Sequence, residues 1–397
     1  MKRKTILITG AAGFLGSYIT KILFEEGYQL ILLIRGKNNV GAMERSLEIL
    51  SQFGMSGYDY GVLQDSIEII EGDVSERYFG LNSWDYLRLA ETVDEVFHCA
   101  AIIKFDSDSW DMLTRTNVVG TQHVARFCLT RKTKRLHYIS TAYVAGKRRG
   151  TVFESELEQN QEFNNNYERS KFEAERGLFA MHKQYLLPCT VYRPGIIVGD
   201  TLTGFTKNFD NIYVFGKSLC RLKVHAAGNF QEKDGGTISR THPSCLEIPG
   251  DKYSTINLVP VDYVAGAIVA ISMRRESINK TFHIVNPSPP TLGELAVWMM
   301  AATGFYGIKI EPIYKFQGRK QTLREKTFLQ RIDAFLPYLL GEPCFDSSNT
   351  RDLLRGTGVE CSMITGDFIN KCIQYAVEVD WGKNDPNKPL TLCERRN

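Results

Sequence analysis

The stretch 166–175, NYERSKFEAE, sets Tyr167 and Lys171 four residues apart. On a helix that spacing puts both side chains on one face. A tyrosine with an ordinary pKa of ~10 is a poor proton shuttle at neutral pH. A cation one turn away can lower that pKa and also touch a cofactor ribose. Two further Tyr/Lys pairs have the same spacing, Tyr143/Lys147 and Tyr213/Lys217. Each has a glycine directly before the lysine, so neither offers a stiff helical face. The run that Tyr167 opens is free of glycine until Gly177. Tyr167/Lys171 is therefore the pair with the geometry for acid catalysis.

A second constellation lies near the start of the chain, where TGAAGFLG carries Gly10, Gly13 and Gly16 after a strand pattern and before a helix pattern. That context gives a glycine loop its meaning: a tight turn, a close backbone approach to a pyrophosphate, and a helix N-terminus with unpaired N–H groups. The loop predicts a dinucleotide site. Arg35 ends the second strand pattern, where an NAD site usually carries Asp or Glu for the ribose 2′-hydroxyl. A guanidinium there pairs with a 2′-phosphate instead, which favours NADPH over NADH. Arg45 offers a second contact, or is simply a solvent-facing helix residue. A hydroxyl partner for the tyrosine is expected at the end of the strand before it, where Ser140 and Thr141 stand in sequence. Successive strand residues face opposite ways, so only one of the two is expected to point into the site.

These groups need a scaffold. Short apolar runs at 5–10, 30–35, 66–73, 95–101, 135–141 and 189–195 alternate with amphipathic stretches at 14–27, 39–50 and 112–129. Strands alternating with helices of this length predict βαβ units and a doubly wound parallel sheet, with ligands at the carboxyl ends of the strands. The rhythm breaks after residue 200. Residues 201–257 read as loop-rich; strand and helix patterns return at 257–273, a strand at 281–287, and 291–382 reads as mostly helical. The expected division is a Rossmann domain over 1–200, rejoined by 257–290, with 201–256 and 291–397 forming a smaller substrate lobe.

Composition bounds the rest. With 397 residues, 43% hydrophobic and 23% charged, the chain lies in the ordinary globular range. A net charge of +3 is too mild to imply nucleic acid. The local basic clusters at 131–135, 147–149 and 318–326 read as solvated faces rather than docking patches. Nine cysteines stand singly, without metal spacing, which predicts no metal site and a reducing compartment. No apolar run has the length of a membrane span. The expectation is a cytoplasmic protein.

Taken together, TGAAGFLG, GDV (72–74), HCAA (98–101), NVVGT (117–121), STAYVAG (140–146), YERSK (167–171) and RPGIIVGDTLTG (193–204) resemble an extended short-chain dehydrogenase/reductase. More narrowly the chain is similar to the thioester-reductase and fatty acyl-CoA reductase branch, the male-sterility-type NAD-binding proteins. GDVSERYFGL (72–81), Arg35 with Arg45, and NLVPVDYVAGAI (257–268) carry that narrower likeness. The resemblance covers roughly residues 4–290 and implies an α/β, Rossmann-like doubly wound parallel sheet with a smaller, mostly helical C-terminal substrate lobe.

Residue by residue, the resemblance implies Thr141, Tyr167 and Lys171 as the catalytic set, Thr141 being preferred to Ser140 by its place five residues before Gly146. NADP(H) would be held by Thr9, Gly10, Gly13, Phe14, Leu15, Gly16, Arg35, Arg45, Asp73, Val74, Ala100, Tyr167, Lys171, Pro194, Gly195 and Ile197. Asn117 stands where relatives keep an asparagine. The pattern departs at Cys99, where an asparagine is usual, and at IIKFD (102–106); both adjoin the mouth of the site and bear on substrate identity.

The implied activity is NADPH-dependent reduction of an acyl thioester to an aldehyde, and in a second round to an alcohol. Thr141 and Tyr167 would steady the developing oxyanion, and Phe205, Phe209, Tyr213 and Phe215 would face the acyl chain or simply pack the lobe. Adenylation and carrier domains of large relatives are not recognisable, so the thioester is expected on coenzyme A or on a separate acyl or peptidyl carrier protein. The alternative within the same fold is action on a ketone, a hydroxysteroid-like alcohol or a nucleotide sugar. A cofactor-sensing regulator without turnover is the alternative of another class.

Overall fold

The computed structural model describes residues 3–36, 40–45, 65–132, 134–228 and 245–383. Seven short apolar runs pair into one parallel sheet: β1 (Thr5–Thr9), β2 (Gln29–Ile34), β3 (Ile67–Glu71), β4 (Glu95–His98), β5 (Arg135–Ile139), β6 (Cys189–Pro194) and β7 (Thr281–Ile284). Their order is β7-β6-β5-β4-β1-β2-β3. From β1 the chain moves outward through β2 and β3, then crosses to β4 on the other side. The crevice between β1 and β4 is thus the switch point, where open α/β sheets bind ligands beyond their strand ends.

Helices cover both faces, which is why all strands but the edge strand β3 are buried along nearly their whole length rather than alternating. The pleat divides them. Ile6, Ile8, Leu30 and Leu32 pack under α1 (Phe14–Glu25). Leu7, Ile31, Leu33 and Val96 face the other way, beneath α2 (Ser83–Thr92), α3 (Gly120–Leu129) and α4 (Asn166–Tyr185). Fully buried side chains such as Ile19 and Phe127 each contribute about 1.5–3 kcal/mol.

The rest of the chain forms a second core beside the sheet. It is built from α5 (Ile212–Gly228), the paired strands Leu246–Pro249 and Ile308–Glu311, α7 (Leu292–Thr303), α8 (Leu323–Ile332) and α9 (Gly366–Glu378). Between α5 and α7, α6 (Val261–Ser272) packs on the α1 face and β7 pairs with β6. Later, Leu354 at the end of the helix Ser348–Leu354 joins the same α1-face core. Among the described residues no helix is long and apolar enough to cross a membrane.

One element departs from expectation. Residues 201–257 are not simply loop-rich, because α5 runs for 17 residues through Gly216. A Cβ at Gly216 would stand 2.7 Å from Ile373 and 3.2 Å from Trp381. The glycine therefore serves close packing on α9 rather than a helix break. Tyr213 and Lys217 do share a helix, contrary to the sequence reading. Of the helix expected at 39–50, residues 42–45 are helical, and 39 and 46–50 lie outside the described residues.

Candidate active site

The glycine loop is held by contacts that only glycine permits. Gly10 has φ +72°, and a Cβ there would lie 2.5 Å from the Ala100 backbone nitrogen. A Cβ on Gly16 would lie 2.2 Å from the Gly10 carbonyl oxygen. Gly13 is the N-cap of α1 in extended backbone with no side-chain cap, and the first turn carries no acidic residue. The leading amides of α1 are thus open toward the crevice, a cradle suited to a pyrophosphate.

Beside the cleft, though not among the residues that line it, the Arg35 guanidinium lies 3.3 Å from the Asp73 carboxylate. Burial pushes the Asp73 pKa up, but the Ser75 amide at 2.8 Å and Arg35 hold it below the ordinary value. Arg45 donates to the Arg35 carbonyl oxygen and itself lines the cleft. Thr9 is fully buried, its hydroxyl 2.7 Å from His98 Nδ1. Val74 is buried and packs against the position of Gly120. These two support the cleft floor rather than lining it.

The opposite wall is built on α4. Asn165 caps this helix by accepting from the Glu168 amide at 3.0 Å, and the Glu168 carboxylate accepts from the Asn164 amide at 2.8 Å. Tyr167 is thereby set in the first turn, one turn before Lys171. The glycine loop, Arg45, Thr141, Tyr167, Lys171, Pro194, Gly195 and Ile197 all line one cleft of about 760 Å³. The other two Tyr/Lys pairs do not form such a face. Tyr143 sits in the short turn Ala142–Ala145, and Tyr213 is buried with its hydroxyl accepting from the Gly199 amide at 3.0 Å.

The electrostatics differ from the sequence reading. The Lys171 ammonium donates to the Ile139 carbonyl at 2.6 Å and lies 4.3 Å from the Tyr138 ring. Burial pulls its pKa down to about 7. The Tyr167 pKa is raised, by burial first and then by the Glu168 carboxylate. Lys171 thus does not lower it here: the ammonium is drawn to the end of β5, and burial favours its neutral form.

Ser140 and Thr141 both border the cleft but differ in engagement. The Ser140 hydroxyl donates to Glu175, which is locked in a buried ion pair with Arg193 at 2.7 Å. The Thr141 hydroxyl accepts from the Tyr143 amide at 3.3 Å, leaving its own proton to donate. Asn117 lies in the π-helical turn Thr114–Val119. It clasps Ile102 from both sides at 2.8 and 2.9 Å and donates to Ser170 on α4 at 2.9 Å. Its contacts are to loop and helix, not between strands.

Cys99 lines the cleft, and burial pushes its thiol up to about 12, so it stays protonated. Phe105, in the divergent IIKFD segment, meets Tyr167 edge-on at 6.0 Å and Phe335 at 5.5 Å. The four expected aromatics divide. Phe209 lines the cleft and Phe215 an adjoining apolar cavity, while Phe205 packs on Phe14 and Tyr375. Sequence reading missed Tyr338, whose hydroxyl donates to Glu168 at 2.6 Å and accepts from Asn165 at 2.8 Å. Nothing in its local pattern marks it, because its partners lie about 170 residues away.

The basic clusters are largely exposed, as at Arg131, Lys132, Lys147, Arg149, Lys320 and Lys326, with a few members turned inward as braces. Lys134 is buried against the Thr130 and Lys132 carbonyls, and Arg135 donates to Ser272 and Thr190. Arg148 pairs with Glu156, and Arg319 with Glu247 and Glu325. Among the described residues no group of three or more His, Cys, Asp or Glu is arranged to hold a metal ion.

Residues 8–268 match the male sterility protein family. Carboxylic acid reductase of Mycobacterium tuberculosis is 28% identical over 364 residues, covering 85% of this chain and 30% of its own. Isonitrile lipopeptide synthase of the same organism is 27% identical over 413 residues, covering 97% of this chain and 15% of its own. The chain thus spans less than a third of the length of these relatives. Among solved structures, the terminal R domain of the myxalamid PKS-NRPS biosynthetic pathway superposes with a TM-score of 0.76 at 26% identity, covering 95% of this chain and 91% of that one. The chain belongs to the male sterility protein family, with the fold of the extended short-chain dehydrogenase/reductases.

Proposed function

We propose that this cleft reduces an acyl thioester to an aldehyde with NADP(H), using Thr141, Tyr167 and Lys171. The observation that carries the reading is their convergence on the wall opposite the open N-terminus of α1, in a chain of this family. The cradle fits a dinucleotide. Gly10, Gly13 and Gly16 keep it clear of side chains, the first-turn amides of α1 would take the pyrophosphate, and Arg35 and Arg45 would take a ribose 2′-phosphate in competition with Asp73. When bound, the dihydronicotinamide supplies hydride to the thioester carbonyl carbon.

The chain's own groups do the rest. Thr141 and Tyr167 donate hydrogen bonds to the carbonyl oxygen as charge gathers on it, an oxyanion-hole role. Because burial and Glu168 raise its pKa, Tyr167 stands protonated at neutral pH, the state a general acid needs. Lys171, one turn along α4, would hold the ribose, and would neutralise the tyrosinate left after proton transfer only if the bound cofactor draws its ammonium away from the Ile139 carbonyl. The hemithioacetal then collapses to aldehyde and thiol; a second round would yield the alcohol. In an archaeal non-ribosomal peptide synthetase, a reductase of this fold is joined to a thiolation domain as a di-domain. For this chain a carrier protein could play that part, with coenzyme A as the alternative donor.

Replacing Tyr167 with Phe tests the reading. The expected result is a turnover loss of about 10²–10⁴-fold, with NADPH affinity, read by nucleotide fluorescence, within about threefold of the parent. Unchanged turnover would remove Tyr167 from the mechanism.

A further inference from the structure

Tyr143 lies two residues beyond Thr141, and its amide donates to the Thr141 hydroxyl at 3.3 Å. Its side chain borders the catalytic cleft together with Thr141 and Tyr167. The Tyr143 hydroxyl donates to Glu342 at 2.7 Å, a carboxyl that arrives from the lobe 199 residues further along the chain. Glu342 is not among the residues that line the cleft. The phenol therefore stands between a buried carboxyl and the reacting space.

Glu342 is held by neutral groups. It meets the Tyr143 hydroxyl, the Thr255 hydroxyl at 3.3 Å and the Asn257 amide. Arg149 donates only to the neighbouring Gly341 carbonyl, at 2.9 Å. Glu168 lies beyond Tyr338, whose ring meets Tyr143 edge-on at 5.3 Å. Burial pushes the Glu342 carboxyl up to about 7. Burial, and then Glu342, raise the Tyr143 pKa, so the phenol keeps its proton at neutral pH. A carboxylate at 342 holds that proton. A protonated carboxyl donates to the phenol oxygen instead and frees the phenol proton for the cleft.

We propose that Tyr143 is the acid that protonates the departing sulfur when the hemithioacetal collapses, and that Glu342 resupplies its proton. The inference rests on the thioester reading above. In the collapse the hemithioacetal hydroxyl returns its proton to the Tyr167 phenolate, and the C=O bond re-forms. The C–S bond breaks with its electron pair going to sulfur, which takes the Tyr143 proton. Glu342 then protonates the Tyr143 phenolate, and the carboxylate left behind recovers a proton from water. The sum is one proton from solvent per thiol released. Tyr167 cannot fill this part, because it must be a phenolate to receive the hydroxyl proton. Without a second donor the collapse would strand a thiolate in a buried site, where an unpaired charge is costly.

The test compares leaving groups. An alkyl thiol, with a pKa of ~8.5, keeps its proton at neutral pH, whereas a nitrothiophenolate departs without one. A coenzyme A ester and an S-nitrophenyl ester of the same acyl group thus present one carbonyl and two demands on the acid. Tyr143→Phe keeps the ring on Tyr338 and Phe345. It should lower kcat for the coenzyme A ester at least about tenfold, the loss of a general acid, and leave the aryl ester within about threefold. Damage to the fold would slow both alike. Glu342→Gln, which cannot resupply a proton, gives a second reading. In the parent the coenzyme A to aryl rate ratio should fall as pH rises through about 7, where the carboxyl loses its proton. In Glu342→Gln the ratio should be low and level with pH. Equal loss on both esters, or a ratio that neither variant alters, would overturn the proposal and leave the thioester reading standing. Turnover of neither ester by the parent would sink both.

Discussion

Tyr167, Lys171 and Glu342 each sit far from their ordinary titration range, and each does so chiefly through burial. Glu342 accepts from the Tyr143 hydroxyl at 2.7 Å and from Thr255 at 3.3 Å, yet burial pushes it up to about 7 from 4.5. A carboxyl with a raised folded pKa contributes stability that is present below about 4.5 and lost as pH rises through about 7. Glu342→Gln should therefore flatten the fall in thermal midpoint across that window. A fall as steep as in the parent would contradict the assignment. Lys171 acts in a separate window: its lowered pKa penalises the fold below about 7, a penalty relieved as pH rises toward 10.5. Arg35 carries the cofactor prediction. Arg35→Glu would set a carboxylate against a 2′-phosphate, and the NADPH-over-NADH ratio of kcat/KM should fall at least tenfold, since hydrogen bonds to charged groups are worth about 1.5–3 kcal/mol. An unchanged ratio would place selectivity elsewhere. The residue types at these positions were legible in the sequence, but their charge states were not. Whether Lys171 faces Tyr167 or the Ile139 carbonyl depends on β5, which the spacing of two residues cannot report.

Among the elements, the turn from β1 into α1 is the least tolerant part of the site. Gly16→Ala would force a Cβ to within 2.2 Å of the Gly10 carbonyl, a backbone atom that can move only by opening the loop. Overpacking of this kind typically costs about 1–3 kcal/mol. The variant should lose several degrees of thermal midpoint and at least tenfold in NADPH affinity. Unaltered binding would show that the loop does not hold the dinucleotide. Glycine reads differently along the chain, and this explains one success and one failure of sequence reasoning. Gly10, Gly13 and Gly16 sit between strand and helix patterns, so the tight turn they form is local and visible. Gly216 stands inside α5 because α9 passes close by, and a long-range contact leaves no local mark. The π turn at Thr114–Val119 was likewise invisible, since it follows from Asn117 reaching Ile102 and Ser170 rather than from helix propensity.

In the assembled chain, the sheet places the glycine loop and α4 around one switch point, and the lobe closes the remaining side through Tyr338 and Trp381. The parallel sheet was legible because its inner strands bury both faces and so announce themselves as apolar runs; the edge strand β3, IEIIE, is only partly buried. The lobe was much less so: its strands are short, its aromatics serve packing and lining alike, and Tyr338 reaches α4 only through the tertiary fold. What the cleft converts is decided by following NADPH absorbance with purified protein. Acyl-CoA esters of graded length would be measured, with NADH, free ketones, hydroxysteroids and nucleotide sugars run alongside. The expected result is turnover of acyl-CoA with an optimum at an aliphatic chain and a preference for NADPH. No oxidation with any thioester, with turnover of ketones, hydroxysteroids or nucleotide sugars instead, would contradict the thioester-reductase reading.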